Sequence, residues 1–414
     1  MTDVSDAGFK SVTRVVDARR RLLDATTPHA RTESVPIADA PGRALATDVT
    51  AATNVPHYRR AAMDGWAVHA SDTFGAGERS PAVLRAEEAG IDTAVPGSAV
   101  RVHTGSALPD GADAVVMVEE TDRFGDDVEV FDAVAEGENV APVGEDVTEG
   151  QHLYDVGHQL RPSDLGLLRS TGVETVEVFD RPDVAVIPTG EELVEADPAP
   201  GEVIETNGLT VSQLVERWGG EARYRDVVTD DEDALAAAIE RDLDADVVVT
   251  TGGSSVGDRD LIPDVVGDLG ETFVHGVALK PGHPCALGVV EETPVVMLPG
   301  YPVACIINAV QFLRPATKRA GHLPDTPHPT REARLDRKIR SEPGVRTYVR
   351  VRLSESEDGR ADDAPRLLAT PTRASGSGVL SSVALSDGWV VVPESREGIA
   401  EGETVSVEDW ERFV

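Results

Sequence analysis

Lysine is nearly absent from this 414-residue chain. Only Lys10, Lys280, Lys318 and Lys338 occur; the rest of the 38 basic residues are arginines. Against them stand 74 Asp and Glu, for a formal net charge of −36. A nucleic-acid binder needs a basic footprint to neutralise phosphates, and an anionic bilayer attracts polybasic segments. The sequence has no basic cluster of that kind, so neither nucleic acid nor membrane is expected as a partner. The acids are spread along the chain rather than gathered in a tail. Self-repulsion of this size is tolerated where salt screens it, with a Debye length of ~3 Å at 1 M. The composition therefore points to a high-salt cytosol, as in a halophile; an ordinary acidic protein is the plainer alternative.

Cysteine is scarce as well. Cys285 and Cys305 form neither a disulfide framework nor a Cys-x-x-Cys metal site, and they read as buried reduced thiols. Aromatics are few, with 8 Phe, 5 Tyr and 4 Trp, so the cores must rest on Ala, Val and Leu. The 40% hydrophobic content is enough for such cores and excludes wholesale disorder. No run approaches the ~18 apolar residues of a membrane span. The start, Met1-Thr-Asp-Val-Ser-Asp6, lacks a basic n-region and an apolar h-region. The expectation is a soluble, cytoplasmic protein of two to four domains, at roughly 150 residues each.

The texture changes along the chain. Phe9, Val12, Val16 and Leu23 make a helical stripe over 9–25, ending near Pro28. From about 51 to 147, short strand-like runs (66–68, 83–86, 99–102, 114–118, 128–131) alternate with Gly, Pro and Asp turns, which predicts an antiparallel, barrel-like β module. A helix is expected at 163–171 after Pro162. From about 181 to 327, strands at 183–188, 222–228, 246–251 and 295–298 alternate with helices at 207–218, 232–243, 261–269 and 302–319. That alternation predicts a doubly wound, mainly parallel sheet. Residues 328–414 return to β, with strands at 346–353 and 389–394.

In an open α/β sheet, ligands bind beyond the carboxyl ends of the strands, so the loops there carry the chemical interest. Pro188-Thr-Gly-Glu-Glu-Leu193 sets two carboxylates after a strand; helix capping explains them as well as function does. Thr250-Thr-Gly-Gly-Ser-Ser-Val-Gly-Asp-Arg-Asp260 offers glycines for close backbone approach and free N–H groups for an anion. It matches neither a Walker A loop nor a G-x-G-x-x-G fingerprint. Its Asp258 and Asp260 suit a divalent cation, or Asp260 a helix cap. Leu298-Pro-Gly-Tyr-Pro302 lets a ligand approach Gly300, or is only a stiff turn. Lys280-Pro-Gly-His-Pro284 retains a lysine where arginine is the rule, which suggests a required point charge; a surface lysine is the alternative. Asp64 in Ala62-Met-Asp-Gly-Trp-Ala67 and the acids of Gly144-Glu-Asp-Val147 would by default be solvated turns.

As an ordered set, these motifs resemble the molybdopterin molybdenumtransferase family, which includes MoeA and the C-terminal part of gephyrin. The matching segments are AAMDGWAV (61–68), HTGSALPDGADAVVMVEE (103–120), GEDVTEGQ (144–151), IPTGEEL (187–193), ETNG (205–208), TTGGSSVGDRD (250–260), ALKPGHP (278–284), MLPGYPVA (297–304) and GSGVLSSVALSDGW (376–389). One such motif is weak evidence; nine in order, from about residue 10 to the end, are specific. The resemblance implies a multidomain α/β plus β fold. Residues 1–50 and 148–180 would form a discontinuous N-terminal linking domain and 51–147 an inserted β module. Residues 181–327 would form a doubly wound molybdopterin-binding α/β domain and 328–414 a C-terminal β-barrel. It also implies a homodimer whose active cleft joins the third and fourth domains of one subunit to the inserted module of the other.

The implied reaction inserts molybdate, or tungstate, into adenylylated molybdopterin and releases AMP, with Mg²⁺ or another divalent cation. The upstream adenylyltransferase is a candidate partner. The resemblance assigns catalytic roles to Asp64, Glu192, Asp260 and Lys280, and metal ligation to Glu192, Asp230 and Asp260. It assigns substrate contacts to Thr104, Asp146, Thr189, Gly190, Asn207, Gly252, Gly253, Ser254, His283, Pro299, Gly300, Arg346 and Ser377. Asp230 also lies in an acidic run that would suit the start of the helix at 232. The chain departs from the family pattern at His283 (often Lys), Tyr301 (often Asn), Glu191 (commonly Asp) and Trp66 (commonly Tyr). Molybdopterin adenylylation and a non-catalytic pterin-binding scaffold are the alternative functions.

Overall fold

A computed structural model describes residues 12–252, 261–355, 367–372 and 377–411. The chain divides into two compact units. One takes Ser34–Pro41 and Leu45–Val178; the other takes the chain up to Glu33, Gly42–Ala44, and everything from Phe179 onward.

The unit of residues 34–178 contains a six-stranded sheet bent into a half-barrel, in the order Ala114–Met117, Gly65–Val68, Ser98–Val102, Ala82–Glu87, Asp127–Val130, Thr121–Phe124. Alternation along the strands covers both faces. Trp66, Val68, Leu84, Val116, Val128 and Val130 bury on one side, and Ala67, Val100, Val102 and Val115 on the other. The expected antiparallel pattern holds except at one place: Ala82–Glu87 and Ser98–Val102 run parallel. The intervening residues 88–97 carry the chain back to the starting end instead of folding it as a hairpin. Gly65, next to Asp64, is dictated by packing: a Cβ there would lie 1.9 Å from the Val116 carbonyl oxygen.

A second core in this unit gathers Val35, Ile37, Leu45, Leu160, Leu168 and Val178 around the helix Pro162–Ser170. Asp164, 2% exposed, sits in its first turn. Its carboxylate accepts from the Arg161 backbone N–H (2.8 Å), Arg161 Nε (3.1 Å) and Nη2 (2.8 Å), the Tyr154 hydroxyl (3.2 Å) and His158 Nε2 (2.8 Å). Burial opposes the charge, but these donors outweigh it and hold the carboxyl well below the usual range.

In the other unit, the first helix is α1 (Val15–Ala25). The α/β part follows as β1 (Asp183–Pro188), α2 (Asn207–Arg217), β2 (Glu221–Tyr224), α3 (Glu232–Arg241), β3 (Val247–Thr251), α4 (Leu261–Leu269), β4 (Glu271–His275), β5 (Leu279–Lys280), β6 (Ala286–Val290), β7 (Thr293–Leu298), α5 (Pro302–Asn308) and α6 (Arg314–Ala320). The sheet order is β2-β1-β3-β7-β6-β4. Its first four strands are parallel; β6 and β4 are antiparallel additions that the sequence pattern did not show. Period-two burial sorts the strand residues. Val184, Val186, Val247 and Val249 face the layer holding α1 and α2; Ala185, Ile187 and Val248 face α3 and α4.

Three sequence expectations shift. The strand expected at 222–228 is regular only over Glu221–Tyr224 and meets β1 again at a single bridge, Val228 beside Thr189. The buried stripe of α1 is Val15, Ala18 and Leu22, while Val16 is 60% exposed; the 3-and-4 spacing fits two adjacent stripes, and packing selects one. The helix expected over 302–319 contains a π-helical stretch at Ala309–Leu313, just before Pro315. Pro315 has no N–H for the Gln311 carbonyl, so the helical ladder must be interrupted there.

The C-terminal strands are β8 (Thr330–Leu335), β9 (Arg346–Glu355), β10 (Leu367–Pro371), β11 (Gly388–Val392) and β12 (Thr404–Glu408). They pair in the order β9-β10-β8-β12-β11, and β11 pairs back onto β9, closing a five-stranded barrel. Val351, Ala369, Val390, Val392, Val405 and Val407 fill it. The short β5 lies parallel to β9, pairing Leu279 with Arg346 and Lys280 with Thr347. Among the described residues, no helix is long and apolar enough to cross a membrane.

Asp164→Ala removes a helix N-terminal acceptor and leaves buried donors unpaired, so it is expected to destabilise the protein by about 2–3 kcal/mol at neutral pH. Because the folded-state pKa is depressed, this stabilisation is full above the usual carboxylate range and is lost as pH falls below about 4. Denaturant titrations of wild type and variant at pH 7 and pH 3 should therefore show a smaller difference at the lower pH.

Candidate functional site

The strand order 2-1-3 places a topological switch between β1 and β3, where an open α/β sheet forms its crevice. Three loops meet there, and the backbone ties them together. The Thr189 N–H donates to the Thr251 carbonyl (3.2 Å), the Gly252 N–H to the Leu298 carbonyl (3.1 Å), and the Gly190 N–H to the Val228 carbonyl (3.1 Å). Asn207, at the start of α2, donates through Nδ2 to the Gly300 carbonyl (2.7 Å). Gly252 has φ +128°, and a Cβ on it would stand 2.1 Å from the Thr189 carbonyl oxygen. A Cβ on Gly300 would lie 3.4 Å from the Gly252 Cα. Thr189, Gly190, Asn207, Gly252 and Gly300 thus come together as a glycine-lined floor. Pro299 is buried beside them.

Of the 250–260 loop expected to offer free N–H groups, Gly252 already has a carbonyl partner, as do Thr189 and Gly190 beside it. Gly253, Ser254 and Asp260, together with Asp258, lie outside the described residues. The floor does offer the Thr189 hydroxyl, which is buried and has no partner among the described residues. A buried polar atom in that state marks a place for a polar occupant.

Acidic groups line the next rim. The Glu192 carboxylate folds back over Gly190, 2.8 Å from where a Cβ would be. The Asp230 carboxyl is pushed up by burial and by the charges of Glu192 and Glu191. The cap of α3 is Asp231, whose carboxylate accepts from the Ala234 N–H (3.0 Å), so Asp230 is not needed for that task. Among the described residues, no ready group of three metal-ligating side chains exists.

A basic rim comes from β5 and the barrel. Lys280 Nζ donates to Glu342 Oε1 (2.7 Å), and the ammonium holds that carboxyl below its usual range. In the pairing of β5 with β9, Lys280 stands opposite Thr347 and Arg346 opposite Leu279, one register step apart; Arg346 reaches Glu394 (3.2 Å). His283 Nδ1 is buried without a partner among the described residues. The Ser377 carbonyl accepts from the Val303 N–H (3.0 Å), and Gly378 lies against the Tyr301 ring.

In the unit of residues 34–178, the Thr104 N–H and hydroxyl both donate to Asp64 Oδ1 (2.7 and 2.9 Å), with His103 Nδ1 3.9 Å from Oδ2. The Thr104 bonds lower the carboxyl pKa, keeping exposed Asp64 ionised. Asp146 sits in another turn, its N–H bonded to the Val55 carbonyl (2.9 Å).

Sequence reasoning missed three supporting residues. Glu205, 8% exposed, accepts from the Gly208 N–H (2.6 Å) and the Tyr224 hydroxyl. It thereby caps α2 with negative charge and fixes Asn207. Asn308, fully buried, donates to the Gly282 and Ala304 carbonyls (3.1 and 2.8 Å) and holds the Lys280–His283 turn. Glu342 is the partner of Lys280. Only Glu205 lay in a noticed motif; the other two act across long sequence separations that leave no local signal.

Gly252→Ala is expected to cost at least about 2 kcal/mol, because it forces both a carbonyl clash and a left-handed backbone onto a Cβ. Gly300→Ala, with only ordinary contact at 3.4 Å, should stay within about 0.5–1 kcal/mol of wild type. Thermal melting of both variants checks the contrast.

Comparison with known proteins covers nearly the whole chain. Residues 13–172 match the MoeA N-terminal region (domain I and II), 185–319 the probable molybdopterin binding domain, and 332–410 the MoeA C-terminal region (domain IV). A putative molybdopterin biosynthesis protein of Methanocaldococcus jannaschii is 34% identical over 412 residues, covering 96% of this chain and 97% of that one. The molybdopterin molybdenumtransferase of Haemophilus influenzae is 30% identical over 407 residues, covering 96% and 98%. The crystal structure of the molybdopterin biosynthesis MoeA protein from Pyrococcus horikoshii superposes with a TM-score of 0.80 at 31% identity, covering 96% of this chain and all of that one. With its motifs in order, its three matched segments and relatives of this extent, the chain belongs to the molybdopterin molybdenumtransferase (MoeA) family.

Proposed function

We propose that this chain is the molybdenumtransferase of molybdenum cofactor biosynthesis: it takes adenylylated molybdopterin and molybdate, places the metal at the dithiolene sulfurs and releases AMP. The observation that carries this reading is the glycine floor at the β1/β3 switch, with the Thr189 hydroxyl unpartnered among the described residues and the Glu192 carboxylate folded over Gly190. A flat pterin can approach Gly252 and Gly300 closely because neither has a side chain. Lys280 and Arg346 supply positive charge for phosphate and oxyanion groups. Asn207 fixes the Gly300 turn through its carbonyl.

The acidic rim suits a divalent cation such as Mg²⁺. Burial and the nearby charges of Glu192 and Glu191 raise the cost of the Asp230 charge, and a hard cation there would relieve it. Glu192 and Asp230, with Asp260, would hold it. When bound, the cation offsets charge on the phosphoanhydride and polarises it. Asp64, kept ionised by Thr104, is the further carboxylate of the reaction. The homodimer belongs to the proposal: Asp64, Thr104 and Asp146 of one copy would serve the floor of the other. The domain division 1–50 with 148–180, 51–147, 181–327 and 328–414 is proposed in the same sense, as is the adenylyltransferase as a source of substrate.

Incubation with adenylylated molybdopterin, Mg²⁺ and molybdate should yield AMP and metal-bound pterin; no AMP with either molybdate or tungstate overturns the assignment. Asp64→Asn should reduce molybdate-dependent AMP release by about 100-fold or more while leaving pterin binding intact. If release is unchanged, Asp64 has no catalytic role.

The charge of −36 supports a working environment of high ionic strength. Melting in graded KCl should show a midpoint that rises from low to molar salt as repulsion is screened. A flat profile contradicts the high-salt reading.

A further inference from the structure

Lys318 is one of four lysines in the chain, and it is buried, at 7% exposure, in the last turn of α6. It has no hydrogen-bond or ion-pair partner among the described residues. The nearby carbonyls of that turn are already in use: the Thr317 carbonyl accepts from Gly321 (3.1 Å), and that of Lys318 from Leu323 (2.8 Å). One turn earlier, Arg314, 9% exposed, donates to Asp325 (2.5 Å) and to the Thr326 carbonyl (2.7 Å). Arg19, from α1, donates to the same Asp325. Partly buried His328 completes the group. Burial and the charges of Arg314, Arg19 and Lys318 hold its pKa down to about 4, with Asp325 opposing, so the ring is neutral at pH 7. Burial first, then Arg314, pulls Lys318 down to about 8, which still leaves it mostly protonated. Arg19 and Arg314 therefore share one carboxylate, and Lys318 stands near them without a bond to it, inside a chain that is elsewhere overwhelmingly acidic.

An ammonium on so buried a side chain, with no partner among the described residues, is costly, and this one sits where the local excess charge is positive. The place is not the substrate floor. α6 runs back from the carboxyl end of β7, and the Gly321 that follows it lies against Pro182, at the entry to β1. That is the opposite edge of the sheet.

We propose that Lys318, Arg314 and His328 enclose a second site, for a small monovalent inorganic anion of the halide class. The anion completes the pairing of α1, α6 and the 322–329 segment. Its stabilisation follows mass action, so it acts only where the halide is abundant.

The test compares wild type with Lys318→Met, which keeps the buried stem and removes the charge. Both are melted in potassium chloride and in potassium gluconate at equal molarity, so that cation screening is constant. Chloride should raise the wild-type midpoint relative to gluconate by about 3 °C or more beyond any shift in the variant. Equal shifts in the two proteins overturn the proposal. Should Lys318→Met fail to fold, crystals of the wild type in potassium bromide decide. A bromide anomalous peak within about 3.5 Å of Lys318 Nζ supports the site, and an empty position at molar bromide overturns it.

Discussion

The carboxyl edge of the parallel sheet is held by a few backbone bonds between loops that have no reason in local sequence to touch. The Gly252 N–H to the Leu298 carbonyl and the Thr189 N–H to the Thr251 carbonyl bring the loops of β1, β3 and β7 to one level. These bonds demand residues without a Cβ, since the space at Gly252 is filled by the Thr189 carbonyl. Everything proposed for the site depends on this closeness. The floor is open because its glycines are close, and Glu192 folds over it because the loop after β1 starts from it.

Electrostatics around the floor are balanced within pairs. Lys280 shares its charge with Glu342 and Arg346 with Glu394, so the basic rim is not a naked positive field. Among the described residues Glu192 and Asp230 have no basic partner, and the Glu192 charge adds to burial in raising the Asp230 carboxyl. In the proposed reaction, a highly charged substrate would meet one side already compensated and one side that would gain from a cation. The separate group at Arg19, Arg314 and Lys318 shows the reverse imbalance, with excess positive charge packed against the opposite edge of the same sheet.

Much of this architecture could be read before any coordinates. The β-to-α alternation, the glycine loops and the Asp64 turn are local patterns, and they fell where strands and helices in fact end. What stayed hidden was set by tertiary packing. The α1 stripe was legible only to within one residue, because its spacing fits both Val15-Ala18-Leu22 and the neighbouring face. The antiparallel strands Glu271–His275 and Ala286–Val290 have no helix between them to mark a β-α alternation, so their place in the sheet is set by pairing alone. The parallel pairing inside the half-barrel depends on a crossover that composition does not signal. In the site, a free N–H at Gly252 was a fair inference from a glycine-rich turn, yet Leu298, distant in sequence, takes it. Glu342 and Asn308 could not be found from local motifs for the same reason.

A crystal structure with molybdopterin bound addresses the central claim most directly. The account expects the pterin over Gly252 and Gly300, with a polar atom within about 3.2 Å of the Thr189 hydroxyl and the phosphate toward Lys280 and Arg346. A pterin seated elsewhere, with the Thr189 hydroxyl still unpartnered and the glycine floor in contact with solvent alone, would contradict it.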